Sequence, residues 1–248
     1  MNDQGHVWQR EDLAKLFLED VRGGIPLAAE QIDVLLRVVR HVIARVEHAA
    51  KVGRILDLGC GDGILGRMVL DEHTHATGVF MDFSEPMIEA AKKKADHRRA
   101  TFVVQDLANE AWMQAVESHA PFDLVLSGLA IHHLSNERKR SLYQEIFELL
   151  RPGGLFLNLE HVAPRSQWAN EAFDDLFVDS LWSHQQKRGG TRTKEEVARE
   201  LYHRRDKIEN ILAPMEQQCQ WLEEIGYQDV DCFFKLFQLA LFGGKKPG

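Results

Sequence analysis

The chain has 248 residues, of which 44% are hydrophobic and 27% are charged. This composition supports one α/β domain with a sizeable core, and it excludes wholesale disorder and collagen-like structure. A formal net charge of −8 disfavours nucleic acid as a partner, because nucleic-acid affinity rests on Lys and Arg neutralising phosphates. No apolar run reaches the roughly 20 residues that span a bilayer, and the N-terminal residues lack a secretory apolar segment. We therefore expect a cytoplasmic protein with no membrane partner.

Residues 1–50 predict helices. Apolar residues recur at helical spacing from Asp12 to Val21, and again from Ala28 to Ala50. Neither stretch carries a catalytic pattern, so residues 1–50 are interpreted as an N-terminal helical cover.

Short strands and helices alternate over residues 51–162, which we interpret as an α/β core. The predicted strands are Arg54–Leu58, His75–Met81, Thr101–Gln105, Phe122–Ser127 and Leu155–Glu160. The predicted helices begin at Ile64, at Ser84 and at Ser135. Such alternation is typical of a doubly wound parallel sheet with helices on both faces.

Residues 163–213 interrupt this alternation and are interpreted as an inserted helical lid. Residues 214–248 then predict a helix at Met215–Ile225 and two strands, Tyr227–Phe234 and Leu236–Phe242. A link this short joins two strands only as an antiparallel hairpin. The predicted fold is a doubly wound, mostly parallel seven-stranded sheet with an antiparallel C-terminal edge strand and a helical lid.

The segment Asp57-Leu58-Gly59-Cys60-Gly61-Asp62-Gly63 carries the strongest chemical signal. Glycines are needed where a strand turns sharply into a helix and a ligand approaches the backbone. The run Gly61-x-Gly63-x-x-Gly66 also fits the dinucleotide pattern of an NAD-dependent oxidoreductase. Asp57 argues against that function, because a carboxylate there would repel a pyrophosphate and would accept hydrogen bonds from a ligand amine.

This segment resembles the first motif of class I S-adenosylmethionine (SAM)-dependent methyltransferases. Asp82 and Asp106 end the next two predicted strands, and the segments Phe122–Leu134 and Leu149–Leu155 continue the resemblance in order. The resemblance implies a Rossmann-like fold with SAM as cofactor, Asp82 on the ribose hydroxyls and Asp106 beside the adenine. The residues expected to bind SAM are Asp57, Gly59, Cys60, Gly61, Asp82, Phe83, Met87, Asp106, Leu107 and Ser127.

The resemblance also implies that the donor, whose methyl group is already activated, carries most of the chemistry. A general base is needed only if the acceptor must lose a proton. His132 and His133 are the first candidates, since neutral imidazole is available near pH 7. Glu160, at the carboxyl end of the fifth predicted strand, faces the same crevice. No third ligand completes a metal site around the histidine pairs, so no metal is expected.

The lid is expected to determine the acceptor, because it combines aromatic residues with arginines. The expected substrate contacts are Trp182, Tyr202 and Arg205. A second resemblance, over Arg205–Ile211 and Phe234–Gly243, is to carboxy-SAM synthases, which modify SAM itself and use an arginine at the position of Arg205.

We predict methyl transfer to a small-molecule acceptor. The alternatives are carboxy-SAM formation and a SAM-binding module without catalysis. Aromatic residues in the lid also leave a homodimer open.

Overall fold

A computed structural model describes residues 22–43, 53–203 and 210–248. The predicted helix Asp12–Val21, the end of the helix predicted over Ala28–Ala50 and the expected substrate contact Arg205 lie outside the described residues. Within the described ranges, no helix is both long and apolar enough to cross a membrane.

Seven strands form one sheet in the described part of the chain. They are β1 (Arg54–Leu58), β2 (Thr77–Asp82), β3 (Ala100–Val104), β4 (Phe122–Gly128), β5 (Leu150–His161), β6 (Gln228–Leu236) and β7 (Leu239–Lys245). Their order is β3-β2-β1-β4-β5-β7-β6. The first five strands are parallel, and β7 runs antiparallel to both of its neighbours, β5 and β6. The mostly parallel seven-stranded sheet with an antiparallel C-terminal hairpin is confirmed.

Helices connect these strands and cover the sheet. The described α-helices are α1 (Ala28–Ile43), α2 (Ile64–Glu72), α3 (Glu85–Lys92), α4 (Asn136–Leu149), α5 (Gln167–Lys187), α6 (Lys194–His203) and α7 (Met215–Ile225). Serine side chains cap α3 and α4. The Ser84 hydroxyl accepts a hydrogen bond from the backbone N–H of Met87, and the Ser135 hydroxyl accepts one from that of Arg138.

Two apolar clusters fill the two faces of the sheet. Val125 of β4 packs with side chains of α4 and α7, whereas its neighbours Leu124 and Leu126 pack with side chains of α1 and α2. Successive residues of a strand point to opposite faces, so one strand contributes to both clusters. Burial on both faces explains the nearly continuous apolar runs of the central strands.

Strand β5 begins at Leu150, not at Leu155 as the sequence predicts. The run Arg151-Pro152-Gly153-Gly154 therefore lies within the strand, where the pairing with β4 shifts register between Phe122 and Leu124. Gly153 adopts a φ of 73°, which only glycine adopts at low cost. The glycines thus accommodate an irregularity within the strand.

The C-terminal hairpin turns at Phe237, which has a φ of 50°. As a result β6 extends to Leu236, and β7 begins at Leu239 and not at the predicted Leu236. No glycine or asparagine marks this turn in the sequence, so its position was predicted incorrectly.

A buried polar chain crosses the core between α4, β5 and α7. The Tyr143 hydroxyl donates to Gln218 Oε1 at 2.6 Å and accepts from Asn158 Nδ2 at 3.2 Å. Gln218 Nε2 in turn donates to the carbonyl of Ala213 at 3.1 Å. Tyr143, Asn158 and Gln218 are all completely buried, so water cannot replace a lost partner.

Tyr143→Phe should lower the free energy of unfolding by about 1–3 kcal/mol, because two buried amides would lose a partner. The measurement is urea unfolding at neutral pH. The double variant Tyr143→Phe/Gln218→Met removes both ends of one bond and should cost less than the sum of the single changes. A single variant as stable as the wild type would contradict the account.

Candidate active site

The turn after β1 contains three glycines, which serve two different purposes. Gly59, Gly61 and Gly63 have φ values of 60°, 56° and 76°. A Cβ on Gly59 would lie 2.2 Å from Ala130 Cβ, and a Cβ on Gly63 would lie 3.0 Å from the Phe80 ring. A Cβ on Gly61 would meet nothing within 4 Å. Gly59 and Gly63 therefore permit close packing, whereas Gly61 borders open space that a ligand could fill.

Two buried carboxylates hold this turn. Asp57, 1% exposed, accepts a hydrogen bond from the backbone N–H of Gly66 at 2.9 Å. Asp82, 7% exposed, accepts from the backbone N–H groups of Gly61 at 2.8 Å and Ser84 at 2.9 Å. Burial raises the pKa of Asp57 to about 7 and the pKa of Asp82 to about 6. A cationic or hydrogen-bond-donating ligand would stabilise both in their charged form.

The expected adenine contacts lie beside Asp82. The backbone N–H of Gln105 donates to the Asp82 carbonyl at 3.0 Å, which holds the end of β3 against the end of β2. Asp106 is exposed, and its Oδ1 accepts from the backbone N–H of Ala108 at 2.8 Å. Leu107 is buried in the core.

The remaining expected SAM contacts surround the same edge of the sheet. Phe83 is half-buried just before α3, and Met87 is buried in the first turn of that helix. Cys60 is buried in the glycine turn. Ser127 is also buried, and its hydroxyl donates to the Leu58 carbonyl at 3.0 Å, so it joins β4 to β1.

The three expected catalytic side chains come together between β4 and β5. His132 Nδ1 lies 2.6 Å from Glu160 Oε1, and both residues are buried. Glu160 Oε1 also accepts from the backbone N–H of His161 at 2.7 Å. The His133 ring lies against His132, with 4.0 Å between ring centroids. Burial raises the pKa of Glu160 to about 7, and the positive charge of Lys139 opposes that shift.

Lys139 belongs to this site although no sequence pattern marks it. The residue is completely buried, and burial lowers its pKa to about 8. Its ammonium donates to Asn136 Oδ1 at 3.2 Å and to the carbonyl of Ile211. The backbone N–H of Ile211 donates to the His132 carbonyl at 2.9 Å. Both backbone polar groups of Ile211 are therefore bound: its carbonyl by Lys139 and its N–H by the carbonyl of His132.

His161 connects the site to the lid. Its Nε2 lies 2.9 Å from Gln238 Oε1 and its Nδ1 lies 3.4 Å from Asn210 Nδ2. Gln238 Nε2 donates to Asn170 Oδ1 of α5 at 3.1 Å. The His161 and Phe173 rings pack together, with 5.6 Å between centroids. The lid helix α5 thus lies against the end of β5, next to Glu160.

The two expected substrate contacts that are described both lie in the lid. Trp182 packs with the apolar cluster between α5 and α6, and its indole N–H donates to the Arg192 carbonyl at 3.3 Å. Tyr202 lies on α6 and is 46% exposed. Contact of either residue with an acceptor stays a prediction. Among the described residues, no group of three His, Cys, Asp or Glu side chains could hold a metal ion.

The family model of a methyltransferase domain matches residues 55–154, which include the glycine turn, Asp82, Asp106 and the His132 loop. The match covers 100 of the chain's 248 residues. The resemblance to class I SAM-dependent methyltransferases and the expected cofactor, SAM, are confirmed. The open space at Gly61 and the two buried carboxylates fit that cofactor, since SAM carries positive charge and hydroxyl donors.

Relatives divide into two groups by coverage. The chain is 27% identical to malonyl-[acyl-carrier protein] O-methyltransferase 2 of Ilyobacter polytropus over 52% of this chain and 49% of that one. It therefore spans about half the length of that relative. It is 20% identical to carboxy-S-adenosyl-L-methionine synthase of Nautilia profundicola over 94% of this chain and 91% of that one.

Solved methyltransferases share the fold. The CurJ carbon methyltransferase superposes with a TM-score of 0.66 at 16% identity, over 100% of this chain and 62% of that chain. The magnesium protoporphyrin IX methyltransferase of Synechocystis superposes with a TM-score of 0.54 at 18% identity, over 92% of this chain and 85% of that chain.

Gly61→Ala and Gly59→Ala should have different effects, because a side chain at position 61 would enter the space left for a ligand and a side chain at position 59 would clash with the protein itself. Both changes place alanine at a positive φ, which costs roughly 1–2 kcal/mol. Gly59→Ala also drives a Cβ into Ala130, so it should lose at least about 1 kcal/mol more stability. Gly61→Ala should lose more SAM affinity, measured by calorimetry on the folded fraction. If one of the two variants lost more of both stability and SAM affinity than the other, these separate roles would be contradicted.

Glu160→Gln should stabilise the protein at high pH. The folded pKa of Glu160, about 7, lies above its unfolded value of about 4.3, so the folded state retains a proton that the unfolded state releases. Wild-type stability is therefore lost as the pH rises between these values. The variant should be more stable by on the order of 2–3 kcal/mol at pH 8 and equal to the wild type near pH 4.

The control for this change is Glu148→Gln, at an exposed position of α4. Its free energy of unfolding should follow the wild type at every pH. A constant difference between Glu160→Gln and the wild type across the pH range would show that the Glu160 carboxyl does not titrate as described.

Proposed function

We propose that the protein transfers the methyl group of SAM to a small-molecule acceptor. The observation that carries the proposal is the buried His132–Glu160 pair, which lies at the same edge of the sheet as the glycine turn of a methyltransferase domain. A paired imidazole and carboxylate beside a methyl donor can remove a proton from an acceptor hydroxyl or amine.

Four residues would hold SAM. Asp82 would accept hydrogen bonds from the ribose hydroxyls, and Asp106 would accept one from the adenine amino group. Asp57 favours the positively charged end through its buried carboxylate, and Gly61 leaves the space that the ligand requires. When bound, SAM supplies a methyl group that its sulfonium already activates.

His132 is the proposed general base. When Glu160 is ionised it can only accept hydrogen bonds, so the proton of a neutral His132 lies on Nδ1 and the lone pair lies on Nε2. After His132 takes a proton, the Glu160 carboxylate stabilises the imidazolium at 2.6 Å. His133 packs against the same ring and would limit its orientation.

The lid would bind the acceptor. Helix α5 lies beside His161, and Trp182, Tyr202 and Arg205 are the proposed contacts for a planar or anionic small molecule. Neither nucleic acid nor a membrane is a proposed partner. The cytoplasmic location and the homodimer stay predictions.

A second candidate is formation of carboxy-SAM. The observation that favours it is coverage, since the carboxy-SAM synthase of Nautilia profundicola aligns with 94% of the chain whereas the O-methyltransferase relative aligns with 52%. In that reaction Arg205 would bind a carboxylate. A SAM-binding module without catalysis is a third possibility, for which the His132–Glu160 pair would have no use.

The deciding experiment is native mass spectrometry of the purified protein, followed by identification of any ligand that it releases. Release of SAM or of its demethylated product supports methyl transfer, and the same methods then follow methylation of candidate acceptors. Release of a SAM species heavier by one carboxylate supports the second candidate. A protein that is empty and does not bind added SAM would refute both.

Asp82→Ala should weaken SAM binding roughly ten- to a hundredfold, since each lost charge-assisted hydrogen bond costs about 1.5–3 kcal/mol. The dissociation constant is measured by isothermal titration calorimetry. Because Asp82 also holds Gly61, thermal unfolding of the variant is recorded first. Asp96→Ala removes a surface carboxylate that pairs with Arg98 and serves as the control. An unchanged dissociation constant in the folded Asp82 variant would refute the ribose assignment.

A further inference from the structure

The first turn of α4 reaches across to the loop that follows β3. Arg138 Nε donates to the carbonyl of Leu107 at 2.8 Å. Its Nη1 and Nη2 donate to Glu145 Oε1 and Oε2 at 2.8 and 2.7 Å. The side chains of Arg138 and Glu145 are only 11% and 15% exposed, so water screens this pair weakly. One guanidinium thus binds a carboxylate on its own helix and a backbone carbonyl in the loop.

The core fixes Glu145 from its other side. The indole N–H of Trp112 donates to Glu145 Oε2. Trp112 is completely buried and packs in the same apolar cluster as Leu107. Because the carboxylate accepts from both an indole and a guanidinium, its orientation is restricted, and Arg138 is held in place in turn.

In the described part of the chain, the loop that Arg138 contacts is anchored by burial of the Leu107 side chain and by few hydrogen bonds to other segments. Its beginning is attached where the backbone N–H of Gln105 donates to the Asp82 carbonyl at 3.0 Å. Two further hydrogen bonds of the loop are local: Asp106 Oδ1 accepts from the N–H of Ala108, and the Asp106 carbonyl accepts from the N–H of Asn109. The Arg138 bond therefore connects the middle of the loop to a rigid helix.

We propose that Arg138 is a positioning residue for adenine recognition. By holding the Leu107 carbonyl, it sets the backbone at Leu107 and with it the direction of the Asp106 carboxylate. Lysine could not replace it, because a single ammonium on a flexible stem cannot bind a carboxylate through two nitrogens and a carbonyl through a third. The inference rests on the proposed placement of the adenine beside Asp106 and Leu107.

The test uses two ligands that differ only in the base. S-adenosylhomocysteine carries the adenine amino group, and S-inosylhomocysteine carries a carbonyl there. Binding of both to the full chain is measured by isothermal titration calorimetry. The wild type should prefer the adenine ligand, since the Asp106 carboxylate accepts from an amino group and repels a carbonyl oxygen.

Arg138→Lys should lose affinity for the adenine ligand by about tenfold and for the hypoxanthine ligand by about threefold or less, so that the preference shrinks. Arg140→Lys is the matched control: it lies on the same helix, and its ion pair with Glu224 is largely exposed. This control should keep both affinities within about twofold. Asp106→Asn should lose the same preference as Arg138→Lys, because it alters the group that Arg138 is proposed to direct.

An equal loss for both ligands in Arg138→Lys would overturn the inference and leave Arg138 a role in stability only. If Asp106→Asn loses the preference for the adenine ligand and Arg138→Lys keeps it, the inference about Arg138 is overturned while the SAM site stands. A wild type that binds neither ligand would overturn the SAM site and this inference together. If Arg138→Lys does not fold, Glu145→Gln, which keeps Arg138 but weakens its fixation, should show the reduced preference, and an unchanged preference there would overturn the inference.

Discussion

Two carboxylates are buried where β1 and β2 end, and the geometry of the cofactor side depends on how their charge is accommodated. Burying an isolated carboxylate costs several kcal/mol. Here backbone N–H groups offset that cost: Gly66 binds Asp57, while Gly61 and Ser84 bind Asp82. These donors lie in the glycine turn and at the beginnings of α2 and α3. The turn and both helix starts are therefore fixed by the same two side chains that would face a cationic cofactor.

The His132–Glu160 site accommodates a buried charge with different groups. Glu160 is offset by an imidazole, by the N–H of His161 and by the positive charge of Lys139. Side chains can exchange protons and backbone amides cannot. The partners of Asp57 and Asp82 are therefore fixed donors, whereas the imidazole partner of Glu160 can itself gain or lose a proton.

Local sequence signals predicted the elements whose causes are local. The glycine turn after β1 and the serine cap at Ser84 lie next to the residues that they organise, so both were predictable. The beginning of β5 was not, because Pro152 and its two following glycines are typical of a turn. They join the strand only because Leu150 pairs with Phe122 of β4 and because both glycines exchange backbone hydrogen bonds with Lys246.

The buried polar contacts were likewise predictable only where their cause is local in the sequence. Lys139 and Gln218 stand in amphipathic helices where polar residues usually face solvent, and their burial depends on which segments pack against those helices. Asn158 is different, because it interrupts the apolar run of β5 and could have been recognised. The proximity of His132, His133 and Glu160 was predictable because the family resemblance covers the loop and strand that carry them, and their catalytic role stays a proposal.

The position of β7 has a consequence for biosynthesis. This strand lies between β5 and β6, although the ribosome makes it after both. Until residues 239–245 have been translated, β5 has an unpaired edge over Leu155–His161, the part of the strand that includes Glu160. In a nascent chain β1 to β4 can therefore pair well before β5 gains its second neighbour. The apolar edge of β5 is thus open to other chains for as long as residues 162–245 are being made, which is nearly all of the synthesis that follows β5.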